Sequence, residues 1–190
     1  MKTAVIFLLF LFQLVNITAQ ESALKKIKNL YYKANADNYQ SHIVNLNTMR
    51  AAIGLQTTKI NFYYESEQAN PDESSYKLDY HLVKIVVSYN VAASMDYRIE
   101  YLFDENENLV FYFRKAEGMW ENSTLRYYLD KNELIKVDSK SINELGESVG
   151  YTSLKNFKQA DINIIKQYIE KSKKYLAFFN QMIEIESFDK

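Results

Sequence analysis

The chain has 190 residues, with 16 tyrosines and 11 phenylalanines against four glycines, one proline and no cysteine. This is a folded, aromatic-rich composition, and it excludes a disordered, collagen-like or disulfide-stapled chain. With 23 basic and 24 acidic residues, a formal net charge of −1 and no basic block, it also argues against nucleic acid as a partner.

Residues 1–19 read as a secretory signal peptide. Lys2 precedes an apolar stretch from Ala4 to Val15, shorter than the roughly 20 residues a membrane-crossing helix takes. Thr18-Ala19 offers a small-residue cleavage site, which places the cut after Ala19. The alternative is an uncleaved anchor. Lipid attachment at a cleavage-site cysteine is excluded, because there is none. Cleavage removes only Lys2 from the charge count and leaves the mature chain at −2. The expectation is a secreted or periplasmic protein with no stable membrane anchor after cleavage. Residues 20–190 suffice for a single domain with one core of ordinary size.

Ser22 can cap a helix over 21–36, whose stripe is Leu24, Ile27, Leu30, Tyr31 and Ala34. Asn35-Ala36-Asp37-Asn38 ends it, because Asn and Asp side chains compete for the backbone. His42 to Ile53 fits a helical stripe, yet its Ile, Val, Asn and Thr residues favour a strand near 41–48, then a loop with Gly54. Thr57 to Tyr64 alternates as a half-buried strand, with Ile60, Phe62 and Tyr64 on one face. Glu65 to Ser75 is polar, holds the only proline and reads as an exposed loop. Tyr76 to Tyr89 alternates again, but its parity switches at Leu82-Val83, which predicts a bulge there.

Two hairpins follow. Tyr97, Ile99, Tyr101 and Phe103 alternate into the tip Asp104–Asn108, and Leu109, Phe111 and Phe113 lead out. Leu125, Tyr127 and Leu129, then Ile135 and Val137, repeat the scheme, with Leu109-Val110 matching Leu134-Ile135. Asp138 to Phe157 is polar, contains Gly146 and Gly150, and reads as a loop. From Gln159 onward Ile162, Ile165, Ile169, Ser172, Leu176, Phe179 and Ile183 mark a helix over 159–183. The fold expected is α+β: one antiparallel meander of six or seven strands over 41–139, with the C-terminal helix packed across one face.

Chemistry is sparsely signalled. His81 and Asp79 share strand parity and so a face, which permits metal binding or an oriented general base. A protein zinc site takes three or four ligands, and no further His or Cys is near. No nucleophile elbow, phosphate loop or H-E-x-x-H is present, and no cofactor is implied. Glu65/Glu67 and Glu105/Glu107 fall in wet segments that would not raise a carboxyl pKa by burial. The tip DENEN (104–108) lacks the glycine and distal glutamate of an EF-hand loop. Asn122-Ser123-Thr124 is a glycosylation sequon, meaningful in a eukaryotic secretory route.

Aromatic surface remains. The strands over 97–128 carry aromatics on both parities, more than one buried face absorbs. Trp120, Tyr112 and Tyr128 are therefore expected outside, where they could stack on sugars or anchor a protein. The alternative is a sheet covered on both sides. The function expected is an exported, non-catalytic binding or interaction module for an unknown protein, glycan or small apolar ligand. Two other classes stand beside it: a hydrolase built on His81/Asp79, and a periplasmic carrier of apolar ligands.

INFYYES (60–66), IEYLFDENENLVFYF (99–113) and LRYYLDKNELIKV (125–137), behind a signal peptide, resemble exported bacterial β-sheet proteins of unassigned function that repeat a "YYFD-x-N-x-x-L" hairpin. The resemblance spans about 57–140 and implies no site residues. Where such tips usually carry Gly, this chain has Glu107.

Overall fold

A computed structural model describes residues 20–68, 78–92, 94–143 and 145–187. Residues 1–19, expected from the sequence to be a signal peptide, and most of the expected Glu65–Ser75 loop lie outside the described residues. Helix α1 spans 20–36. The strands β1 (Gln40–Arg50), β2 (Gly54–Gln68), β3 (Leu78–Val91), β4 (Met95–Phe103), β5 (Leu109–Gly118), β6 (Ser123–Asp130), β7 (Glu133–Ile142) and β8 (Ser148–Ser153) follow, and helix α2 (Gln159–Ser187) closes the order. The strands lie side by side in chain order, each antiparallel to its neighbours.

The sheet thus has eight strands where the sequence predicts six or seven. The difference is at 138–157, expected as a loop: β7 runs on to Ile142, and β8 pairs with it from Val137↔Ser153 to Ile142↔Ser148. The segment SVGYTS holds the strand formers Val149, Tyr151 and Thr152, but it is only six residues long and its serines and glycine hide the pattern; pairing to β7 fixes it as a strand. Gly150 permits the close fit, since a Cβ there would stand 2.5 Å from the Ser139 carbonyl oxygen. The ambiguous segment after His42 is a strand, and β2 extends through Gln68.

Three hairpins of one design build the centre. Each register shift leaves one extra residue on the returning strand: Val83 in β3, Val110 in β5 and Ile135 in β7. The first is the bulge predicted at Leu82-Val83. In each unit a Leu precedes the extra residue, and the pairs Tyr64↔Leu82, Phe103↔Leu109 and Leu129↔Leu134 are equivalent. A bulge reverses which face a following residue presents. Val83, Val110 and Ile135 accordingly pack in the α1 cluster, while Leu82, Leu109 and Leu134 join the α2 cluster. The repeat therefore has three copies, not the two that the hairpin tips reveal; in the first copy the tip is replaced by the 69–77 connection.

The two helices take opposite faces of the sheet. On the α2 side the paired row Phe62, Ile85, Tyr101, Tyr112, Tyr127, Val137 crosses six strands with no exposure at any position. Phe179 stacks on Phe62 at 5.8 Å and Tyr168 on Tyr112 at 4.0 Å. On the other side Ile27 and Ala34 of α1 pack with Leu102, Val110, Phe111 and Tyr128. Lys84, buried beneath α1, donates to the Ala34 carbonyl and to Asn35 Oδ1, both at 2.9 Å, and so holds the carbonyl end of the helix. Gln20 fixes the other end through the carbonyls of Ile135 and Leu154.

Candidate functional site

The three aromatics expected on the surface separate. Trp120 is 67% exposed on the β5–β6 connection beside exposed Met119. Tyr112, with no exposure, lies beneath α2, and Tyr128, at 8%, lies beneath α1. The correction has a simple cause. The count of aromatics assumed one buried face, whereas two helices bury a face each. Burial, then the charge of Asp138, pushes the Tyr128 hydroxyl up to about 12, and Lys136 stands 5.0 Å over its ring. The α2 side is filled by whole rings, among them Phe62, Tyr101, Tyr112, Tyr127 and Phe179.

His81 is exposed on β3 at the edge of a cleft of about 240 Å³ between α1 and the sheet, lined also by Lys26, Lys33, Glu65, Asp104 and Glu105. Each of these carboxylates already has a partner. Glu65 meets Lys33 at 3.4 Å and Glu105 meets Lys26 at 3.3 Å. Asp104 Oδ1 accepts from the backbone N–H groups of Asn106 and Asn108 and so closes its own turn. Asp79 is exposed, opposite Glu67 on β2. Among the described residues no group of three or more His, Cys, Asp or Glu is placed to hold a metal ion. His42, the other histidine, stacks on Tyr64 at 5.0 Å and faces Glu186 at 3.4 Å, joining β1 to the end of α2.

A buried polar centre went unread in the sequence. Asp161, in the first turn of α2, accepts hydrogen bonds from Tyr127 (2.8 Å, to Oδ1) and Tyr151 (to Oδ2). Burial, then the bond to Asp161, raises both hydroxyls far above the ordinary tyrosine value. With both carboxylate oxygens occupied, the centre anchors α2 to β6 and β8. An Asp in a first helical turn reads simply as a favourable match to the helix dipole, so nothing in the sequence marked it.

The half of the α1 face that α1 does not cover is an open polar surface. One paired row runs there across all eight strands: Asn45, Lys59, Ser88, Arg98, Lys115, Thr124, Lys140, Gly150. Arg98 and Lys115 stand directly opposite each other, an arrangement that costs stability in a sheet. Each is held by a carboxylate two residues along its own strand, Glu100 and Glu117, both at 2.7 Å. Lys59 and Lys140 are exposed and make no ion pair among the described residues. Arg126 lies over the Phe113 ring at 5.0 Å. Two depressions, of about 550 and 260 Å³, meet at Lys140 and Ser148. The first is walled by Arg126, Asp138 and Thr152, the second by Lys115, Asn122 and Thr124.

Comparison with protein-family models, with curated proteins and with solved structures returns no match for this chain.

Proposed function

We propose that the protein is an exported, non-catalytic binding module that presents the open half of its α1 face to an anionic ligand. The observation that carries the reading is the row of Lys59, Arg98, Lys115 and Lys140, with its like-charge Arg98–Lys115 pair. Glu100 and Glu117 hold Arg98 and Lys115, so Lys59 and Lys140, exposed and without an ion pair among the described residues, are the cations left to meet an anion along the row.

At a strand spacing of about 4.8 Å, the four cations fall roughly 10, 5 and 10 Å apart. Ser88 and Thr124 interleave hydroxyl groups between them, and Asn45 adds an amide at the β1 end of the row. Regularly spaced negative charge among hydroxyls is the chemistry of a linear acidic glycan, and that is the ligand class we favour. Trp120, exposed at the same end of the sheet, supplies a ring on which a sugar can stack. Export rests on the N-terminal sequence, and the absence of catalysis on carboxylates near His81 that are already engaged.

Titration of the purified protein with polygalacturonate, and with neutral dextran as the control, tests the reading. The expected result is binding to the acidic polymer alone. It should collapse in 1 M salt, where charges are screened within about 3 Å. The K59A/K140A variant should bind at least tenfold more weakly. Equal behaviour of the two polymers, or a variant that binds as the parent does, contradicts it.

A further inference from the structure

The two edges of the sheet differ. β8 is six residues long and contains Gly150, whereas β1 is eleven residues long, pairs with β2 without any register shift, and contains no proline. Among the described residues its outer side carries no further strand. Chains usually protect such an edge with charge, proline, a bulge or a covering segment, because unpaired N–H and C=O groups recruit another strand. On β1 only Arg50, its last residue, carries a full charge.

Exposed apolar side chains also gather at this edge. Ile43, Leu46 and Met49 of β1, Leu55 of β2, and Phe178 and Ile185 of α2 are all exposed, Met49 at 75%. By strand alternation Leu46 faces the α2 side, as Phe178 and Ile185 do, while Ile43, Met49 and Leu55 face the other side, so exposed apolar side chains flank this edge on both faces.

From this edge we infer that β1 is a dimer interface, pairing antiparallel with β1 of a second copy about a two-fold axis perpendicular to the sheet. Self-complementarity selects this occupant. Centred on Asn45, the pairing engages all eleven residues of each strand and sets Gln40 opposite Arg50, Ser41 opposite Met49, His42 opposite Thr48 and Val44 opposite Leu46. No like charges meet. The axis keeps each face continuous, so both α2 helices fall on one side, and Val44 and Leu46 from both copies form an apolar cluster there. The same register joins the Asn45–Lys59 ends of the two cation rows, although the pairing does not depend on any ligand.

Two measurements test the inference. Sedimentation equilibrium of the purified protein at micromolar concentrations should give twice the mass of one chain. The L46K variant, altered at a side chain already partly in water, should be monomeric with an unchanged circular dichroism spectrum. V149K, on the opposite edge, should remain a dimer. A monomeric parent, a dimeric L46K, a monomeric V149K or open-ended polymers each overturn the inference.

The second measurement uses the absence of native cysteine. In the centred register the two copies of residue 45 face each other at about 4.5–5.5 Å between Cα atoms, within disulfide reach. The two copies of residue 50 lie about 34 Å apart along the strands. Under mild oxidation N45C should cross-link at least tenfold faster than R50C, and equal rates overturn the register. If polygalacturonate fails to bind while the dimer forms, the ligand reading falls and this one stands.

Discussion

On the α2 side of the sheet the row from Phe62 to Val137 has no contact with water, whereas on the other side of the same strands the row from Asn45 to Gly150 carries four cations in or near it. Helix placement explains part of the contrast. α1 crosses the sheet from β7, where Gln20 meets Ile135, to β3 and β2, where Lys84 and Glu65 meet its last turn. It lies over the Leu102–Phe111 level of the strands and leaves the Arg98–Lys115 level uncovered. The rest is side-chain chemistry. Alternation within each strand sends large rings to α2, and beyond the reach of α1 it sends charge and hydroxyls outward. A single sheet thus holds a core on one face and, on the other, a smaller core beside an open polar surface.

Truncating the closed face should be costly. Phe179→Ala, which removes a fully buried ring, should lower stability by about 3–5 kcal/mol. Lys140→Ala on the open face should change it by less than about 0.5 kcal/mol. Chemical denaturation of the two variants compares the faces directly, and similar losses would erase the distinction between them.

Buried hydroxyls sharpen the comparison within the closed face. Tyr127→Phe removes a donor to Asp161 and should cost about 1–3 kcal/mol. The Tyr101 hydroxyl is buried without a hydrogen-bond partner. Tyr101→Phe should therefore be neutral or raise stability by up to about 1 kcal/mol, read from the same denaturation curves. A clear loss on Tyr101→Phe would mean that its hydroxyl is satisfied, as by an enclosed water.

Charge pairs at the margins give the smallest effect. Burial alone would raise the carboxyls of Glu121 and Asp138. The bonds from Arg114 and Ser123 to the first, and from Lys136 and Thr152 to the second, hold both below their ordinary values instead. A carboxyl with a depressed folded-state pKa stabilises above its unfolded value, near 4, and that stabilisation is lost as pH falls through the folded value. Both groups are partly exposed, Glu121 at 34% and Asp138 at 19%, and solvent screening keeps each contribution to about 1 kcal/mol or less. Thermal midpoints of E121Q/D138N between pH 6 and 2 should fall less steeply than those of the parent.

Much of the fold is legible in local pattern. Alternation marks β2 and β4 to β6, the stripe of Ile165, Ile169 and Phe179 marks α2, and the parity switch at Leu82-Val83 marks a bulge. β8 leaves no such trace, because its strand state comes from pairing with β7. The third copy of the hairpin is hidden for a related reason: the shared feature is a Leu followed by an extra apolar residue, while attention to acidic tips finds only two copies. The cation row is invisible in sequence. Lys59, Arg98, Lys115 and Lys140 each look like an ordinary wet-face residue, and only the strand register aligns them. Tyr112 and Tyr128 read as surface residues because the strands alone do not show that helices approach from both sides.

The central claim is that the open half of the α1 face is the working surface while the α2 face is core. Amide chemical-shift mapping by nuclear magnetic resonance during titration with polygalacturonate tests it most directly. The account predicts shifts centred on Lys59, Arg98, Lys115, Thr124 and Lys140, with the α2 residues Ile165, Ile169 and Phe179 unmoved. Shifts centred on the His81 cleft or along α2, or no shifts at saturating polymer, would contradict it.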